Sequence, residues 1–169
     1  MSKDWQSQAH VKWECKFHVV IVPKYRKKLL YGKVRRKVGE ILRDLCRQAE
    51  VVLVDAPCLG TGTFARHPDA RWRVTLEALG LLERLQSELL RRAAAAVPPG
   101  GLLVYSTCSL EPEENRAQVK RFLAGQPDFE RETTEAVPPD LLSPEGDLMV
   151  LPQQHGTDGA YAARLRRHP

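Results

Sequence analysis

The chain has 169 residues, a length that allows one ordinary domain, or one domain and a fragment. Hydrophobic residues make up 43% of it, a normal share for a packed core, and no apolar run reaches the length of a membrane span. The first five residues show no apolar segment of a secretory signal. The four cysteines (15, 46, 58 and 108) lack disulfide-framework and zinc-like spacing, so we expect free thiols in a cytoplasmic protein.

The formal net charge of +5 is distributed unequally along the chain. Residues 1–50 carry a net charge of +8, whereas residues 51–169 carry −3. This change predicts a boundary near residue 50, between a basic N-terminal unit (1–50) and a second unit (51–169). A solvated helix face is the commoner explanation of a charge run. A basic loop beside a basic helix nevertheless favours non-specific contact of the first unit with nucleic-acid phosphates.

The first unit predicts a strand, a basic loop and a helix. The strand is β-rich and stops at Pro23, and apolar residues at helical spacing predict the helix over 33–48. Residues 10–20, 23–28 and 30–32 resemble the start of the small single-tyrosine transposases of minimal insertion sequences. The sequence has no His-x-His pair and no later tyrosine helix of that family. The resemblance therefore implies a transposase fragment, about residues 1–48, without cutting activity.

A short apolar run at 51–54 leads into an acid, a proline, a cysteine and two glycines. Such a run predicts a strand buried on both faces of a parallel sheet. Ligands bind beyond the carboxyl ends of such strands, where Asp55 and Cys58 lie. An ordinary strand-to-helix turn explains the Asp, Pro and Gly, but the cysteine adds a soft nucleophile.

The stretch 101–109 repeats this layout and has Cys108 at its exit. The intervening 40 or so residues suffice for a loop and one helix, capped by Thr75 and running to about Ala96 with a buried stripe of leucines. Neighbouring parallel strands lie about 4.8 Å apart. Cys58 and Cys108 are therefore predicted to emerge side by side at one edge of the sheet.

Further elements follow in chain order. Pro112 is predicted to open a helix that ends near Gly125, and the Pro-rich and acidic residues 126–147 indicate a connection. Residues 148–152 and 161–165 predict two last strands, separated by a turn.

Several spaced motifs together resemble the Fmu/Sun family of ribosomal RNA cytosine-5 methyltransferases. They are Asp-Ala-Pro-Cys at 55–58, Gly-Thr-Gly at 60–62, Tyr-Ser-Thr-Cys-Ser at 105–109, Pro-Glu-Glu-Asn at 112–115 and the tail at 152–159. The resemblance covers about residues 51–167. It implies an α/β fold with a partial Rossmann-like methyltransferase sheet, mostly parallel with an antiparallel closing strand. It also implies S-adenosylmethionine as the cofactor and ribosomal RNA as the partner.

The same resemblance implies roles for Cys108, Cys58 and Asp55, and the residue types of a nearby loop indicate RNA contacts. Cys108 is expected to attack the target base, and Cys58 to assist release of the product. Asp55 is expected to contact the cofactor and the target base. After the first motif, the Arg-rich loop offers phosphate contacts and a stacking ring for RNA, although the tryptophan could equally pack on the sheet; these residues are Arg66, Arg71, Trp72 and Arg73.

In the Fmu/Sun family, the glycine-rich loop that receives the cofactor precedes the Asp-Ala-Pro-Cys motif. Transposase-like sequence occupies that place here, so we expect a fusion of two truncated genes with impaired cofactor binding. Two alternatives stay open. One is a nucleic-acid-binding remnant of a transposase, and the other is an inert fusion product.

Overall fold

The computed structural model describes residues 51–169, and the elements predicted for residues 1–50 lie outside this part. Five strands are present within it: β1 (Val51–Asp55), β2 (Leu102–Thr107), β3 (Phe129–Arg131), β4 (Leu148–Val150) and β5 (Ala160–Arg167). The α-helices of this part are α1 (Leu76–Ala94), α2 (Arg116–Gly125) and the single turn α3 (Pro152–His155). None of these helices is long and apolar enough to cross a membrane.

The strands form one mixed sheet. β1 pairs in parallel with β2, and β2 pairs antiparallel with β5. The far edge of β5 pairs antiparallel with β4 at one end and with β3 at the other. The α/β class and a partly parallel sheet are confirmed. Antiparallel pairings outnumber the one parallel pairing of the described residues, because β5 forms all its pairs in the antiparallel sense.

One face of the sheet forms the core together with α1 and α2. Alternate residues of three strands point to this face, as the two-residue period of a strand requires, and they pack against apolar residues of the two helices. The buried members are Val52, Leu103, Tyr105, Ala163, Leu165, Leu90, Ala94, Val119 and Phe122.

The other face of β1 is open in the described structure. Val51 is 51% exposed and Leu53 is 43% exposed. The prediction of a strand buried on both faces is therefore wrong here. The reason is that the core lies on the face of Val52, to which α1 and α2 both contribute buried residues.

Helix α1 begins as predicted. The Thr75 side chain accepts the Ala78 N–H at 3.0 Å, which is an N-cap. The predicted leucine stripe is not buried throughout, because Leu76 is 88% exposed and Leu85 is 46% exposed. Burial is instead confined to the second half of the helix, at Gln86, Leu90 and Ala94.

Helix α2 begins four residues later than predicted. The residues that follow Pro112 form turns, in which the Glu114 N–H donates to the Glu111 carbonyl oxygen at 3.1 Å. The side chains of this segment hydrogen-bond to the residues that follow β1 and β2, and its backbone does not form a regular helix.

The connection at 126–147 also contains the short strand β3, where Phe129 packs edge-on against Phe122 at 5.3 Å between ring centroids.

Candidate active site

The two strand exits bring two thiols together. The Sγ atoms of Cys58 and Cys108 are 3.5 Å apart, beyond the carboxyl ends of β1 and β2. This distance confirms that the two cysteines emerge side by side, whereas their separate roles stay predictions. Cys108 is exposed and Cys58 is partly buried, so the two thiols differ in their access to a ligand.

The thiols also differ in their electrostatic surroundings. Burial raises the pKa of Cys58 to about 12, and the neighbouring charge of Cys108 adds to this rise. Both causes disfavour the thiolate, because charge is costly to desolvate and like charges repel. Cys58 is therefore a protonated thiol at neutral pH, and it can donate a hydrogen bond to a group at Cys108.

Asp55 lies at the same edge as the thiols. It is the last residue of β1, pairs with Ser106 across the parallel ladder and is exposed to solvent. The Ser106 hydroxyl donates to its carboxylate at 3.2 Å. An exposed carboxylate at the carboxyl end of a parallel strand suits the hydroxyl or amino groups of a bound ligand.

Close backbone approaches fix the loop after Cys58. The Gly62 N–H donates to the Cys108 carbonyl oxygen at 3.0 Å, and the Gly159 N–H donates to the Gly62 carbonyl oxygen at 2.8 Å. A Cβ at Gly62 would lie 2.7 Å from the Cys108 carbonyl oxygen and 2.8 Å from the Gly159 Cα. Glycine is therefore required at this position by space. Gly60, at φ +70°, makes the preceding turn.

Buried side chains fix the exit of β2 around Cys108. The Thr107 hydroxyl donates to the Asn115 side-chain oxygen at 2.5 Å, and the Asn115 amide donates to the Ser109 carbonyl oxygen at 2.9 Å. The Ser109 hydroxyl lies 3.2 Å from the Thr61 hydroxyl, which joins the two loops. These bonds satisfy polar groups that would be costly to bury unpaired.

Two buried residues of the site were missed from the sequence. Gln86 and Glu114 are both fully buried, and their side chains hydrogen-bond to each other at 2.8 Å. Gln86 is a polar residue on the core-facing side of α1, which was a usable signal. Glu114 lies within the Pro-Glu-Glu-Asn motif at 112–115, but its place near the start of a predicted helix favoured the ordinary explanation as a first-turn acid.

The residues predicted to contact RNA are all exposed, on the segment that follows the first loop: Arg66, Arg71, Trp72 and Arg73. Trp72 is 82% exposed, so it does not pack on the sheet. The Arg71 guanidinium carbon lies 6.0 Å from the centroid of the Trp72 ring. Arg66 forms an ion pair with Asp158, which ties this segment to the C-terminal part of the chain.

A cavity of about 230 Å³ adjoins the site at Ser109 and Leu110, and Met149 and Tyr161 also line it. The His155 side chain accepts the Leu151 N–H through Nδ1 at 2.9 Å. Within residues 51–169, no group of three or more His, Cys, Asp or Glu side chains could hold a metal ion.

The mixed sheet, with functional groups beyond its parallel strands, has the Rossmann-like fold of a methyltransferase. A sequence model of the 16S rRNA methyltransferase RsmB/F family matches residues 28–166, and the chain belongs to this family. The Fmu/Sun resemblance is thereby confirmed. The comparisons do not show the transposase resemblance, and residues 28–48 fall inside the family match. The boundary near residue 50 stays a prediction.

Relatives and solved structures agree with this family. Ribosomal RNA small subunit methyltransferase B of Thermus thermophilus is 40% identical over 134 residues, which are 79% of this chain and 33% of the relative. The solved structure of PH0851 aligns with a TM-score of 0.65 and 32% identity, over 80% of this chain and 35% of that one. The structure of NSun6 from Pyrococcus horikoshii with SFG aligns with a TM-score of 0.60 and 25% identity, over 82% of this chain and 40% of that one. The chain spans about a quarter to a third of the curated relatives that it matches.

The raised pKa of Cys58 predicts an unusual pH dependence of its alkylation. Compared with the ordinary value of 9.0, a pKa of about 12 lowers the thiolate fraction at neutral pH roughly a thousandfold. We expect the alkylation rate of Cys58 by iodoacetamide to keep rising above pH 10 without a plateau. Mass spectrometry of the Cys58 peptide gives the rate at each pH.

The same peptide in the urea-unfolded chain is the control, and its rate should level off near the ordinary value of 9.0. Cys108→Ala removes the neighbouring charge but leaves the burial, so the profile should move only part of the way back. A plateau of the native Cys58 rate near pH 9 would contradict the raised pKa.

Proposed function

We propose that this chain carries the nucleophile part of a ribosomal RNA cytosine-5 methyltransferase that uses S-adenosylmethionine. The supporting observation is the thiol pair, 3.5 Å apart at the sheet edge beside the exposed carboxylate of Asp55. The name of the Thermus thermophilus relative supports ribosomal RNA as the substrate. SFG, an analogue of S-adenosylmethionine, accompanies the structurally similar NSun6 and supports the cofactor.

Carbon 5 of cytosine is too poor a nucleophile to take a methyl group directly. In the proposed reaction, the Cys108 thiolate forms a bond to carbon 6, and the electrons of the 5,6 double bond make carbon 5 nucleophilic. When bound, S-adenosylmethionine would supply an electrophilic methyl group for carbon 5 and would leave as S-adenosylhomocysteine. Carbon 5 then gives its proton to solvent water, the electrons of that C–H bond form the 5,6 double bond again, and the bond between carbon 6 and the Cys108 sulfur breaks.

The difference between the two thiols supports the division of roles. Cys108 is exposed, as a residue that reaches into a bound base must be, whereas Cys58 is partly buried and has a raised pKa. A protonated Cys58 thiol can donate a hydrogen bond to the departing Cys108 sulfur, whose Sγ atom lies 3.5 Å from its own. The target base must leave its stack to reach this edge of the sheet.

RNA contact is assigned to the exposed segment after the first loop. Trp72 offers a free ring face for a base, and the arginines on either side offer phosphate contacts. Asp55 is the described residue proposed to contact the cofactor, with its exposed carboxylate held by Ser106. One carboxylate provides only part of a cofactor site, so we propose that the chain binds the cofactor weakly.

Replacing each cysteine in turn with alanine tests the proposed roles of Cys108 in attack and of Cys58 in product release. The chain spans about a third of the Thermus thermophilus relative. The assay therefore uses a fusion protein in which the part of the relative that precedes the matched region is joined to residue 28 of this chain, where the family match begins. Cys108→Ala should abolish both methylation of unmodified 16S ribosomal RNA and covalent capture of the RNA. Cys58→Ala should leave the protein bonded to RNA, as a denaturant-resistant complex on a gel.

Cys46→Ala is the matched control and should leave both measurements unchanged. If Cys108→Ala still forms the resistant complex, or if it alone does so, the proposed roles are reversed.

Cofactor affinity has its own test. We expect calorimetry with the full chain to show weak or undetectable binding of S-adenosylmethionine, since the described residues offer the Asp55 carboxylate but no glycine-rich loop. Asp55→Asn should weaken any residual binding further, and Asp69→Asn, on the exposed segment, should not. Tight stoichiometric binding would contradict the expected impairment.

A second candidate function is nucleic-acid binding by residues 1–50, favoured by their net charge of +8. Replacing Lys24, Arg26, Lys27 and Lys28 with glutamine in the full chain should then weaken RNA binding and flatten its salt dependence. Each lost phosphate contact lowers the slope of log affinity against log salt by about 0.7 for a single strand. Filter binding at several salt concentrations measures both quantities.

The comparison set replaces Arg71 and Arg73 with glutamine and Trp72 with alanine. A loss confined to this set would assign RNA affinity to the exposed segment after the first loop. It would contradict the second candidate.

A further inference from the structure

Glu114 is a fully buried carboxyl group whose described partners are all neutral donors. The Leu59 N–H lies 3.1 and 3.2 Å from its two oxygens, and the Gln86 amide donates to Oε1 at 2.8 Å. A carboxylate offers only hydrogen-bond acceptors, and the Leu59 and Gln86 groups that face it are donors, so each contact pairs a donor with an acceptor. Such charge-assisted bonds are the stronger kind and help to offset the cost of burying the charge.

These bonds hold the loop of Cys58 on both sides of the cysteine. Leu59 follows Cys58 directly and is bound by the carboxylate itself. Pro57 precedes Cys58, and its carbonyl oxygen accepts the Gln86 amide at 2.9 Å. Gln86 and Glu114 together therefore bind the backbone on both sides of Cys58. We call these two side chains the clamp on residues 57–59.

Glu114 is in turn fixed to the strand that leads to Cys108. The Tyr105 hydroxyl donates to the Glu114 carbonyl oxygen at 2.6 Å, and Tyr105 is completely buried on β2. Tyr105 lies three residues before Cys108 in the chain. The position of the Cys58 loop is thus set, through Glu114, by the strand that carries the other thiol.

We propose that Glu114 is a positioning residue that holds the Cys58 thiol against the Cys108 thiol. The role of this contact in product release rests on the proposed function. The contact itself does not, because it concerns the geometry of two thiols in the chain without cofactor or RNA.

The proximity of the thiols can be measured as the stability of a disulfide between them. With oxidised glutathione, the two thiols form one S–S bond and give up two electrons and two protons, while one glutathione disulfide becomes two glutathione thiols. The equilibrium constant rises with the effective concentration of Cys58 at Cys108. Mass spectrometry of the linked 58–108 peptides measures this constant in the full chain and separates the pair from Cys15 and Cys46.

Glu114→Gln is the central variant. Its amide keeps one acceptor and places an NH₂ group against either the Leu59 N–H or the Gln86 amide, so a donor faces a donor. The loop should move away, and the equilibrium constant for the Cys58–Cys108 disulfide should fall at least tenfold. That change makes the reduction potential about 30 mV less negative.

Glu113→Gln is the matched control, because Glu113 is the exposed neighbour of Glu114 and should leave the constant unchanged. Gln86→Met keeps the side-chain length but removes the donors to Pro57 and Glu114, so it should lower the constant too. It decides the question if Glu114→Gln fails to fold, as judged by circular dichroism.

An unchanged constant in a folded Glu114→Gln chain would overturn the proposal, even if its melting temperature falls. An equal fall in Glu113→Gln would do so as well. Because the assay contains neither RNA nor cofactor, these outcomes are independent of whether the chain methylates RNA.

Discussion

The candidate site depends on the parallel pairing of β1 with β2. In that register Asp55 lies opposite Ser106, so Cys58 follows the pair by three residues and Cys108 by two. Both loops then leave the sheet at one edge, and the thiols meet at 3.5 Å. A slip of one residue would turn every side chain of β1 to the opposite face. It would move Val52 out of the core and separate the carboxylate and the thiols that share this edge.

The loops beyond this pairing are held by buried polar bonds, whereas the core below them is apolar. Thr61 and Ser109 join the two loops, and Glu114 joins one of them to β2. A buried polar network is costly unless every member is paired, and once paired it specifies one arrangement. This explains why polar residues are buried in the segments that follow β1 and β2, at Thr61, Ser109, Glu114 and Asn115. Their bonds fix the positions of the two thiols, which apolar packing alone would leave less sharply defined.

The sequence was sufficient for the local features of the site and insufficient for the long-range ones. The strands around Cys58 and Cys108 follow from apolar runs and turn residues, and the Thr75 cap follows from a local rule. The exposed face of Val51 depends on which side of the sheet the helices occupy, and periodicity contains no such information. The Gln86–Glu114 contact joins residues 28 positions apart, so neither residue alone announced it. Strand β3 was missed because three residues are too few for a period, and its pairing with β5 decides it.

One structural cause gives the two cysteines different properties. The clamp on residues 57–59 and the close approach at Gly62 hold the Cys58 loop down, and the resulting burial is the largest cause of the raised pKa of Cys58. Cys108 lies beyond the last residue of β2 and is exposed. The contacts that fix the position of Cys58 thus also keep its thiol protonated at neutral pH. Two chemically identical side chains thus lie in different surroundings, which suits the proposed division between an attacking thiol and a thiol that donates a hydrogen bond.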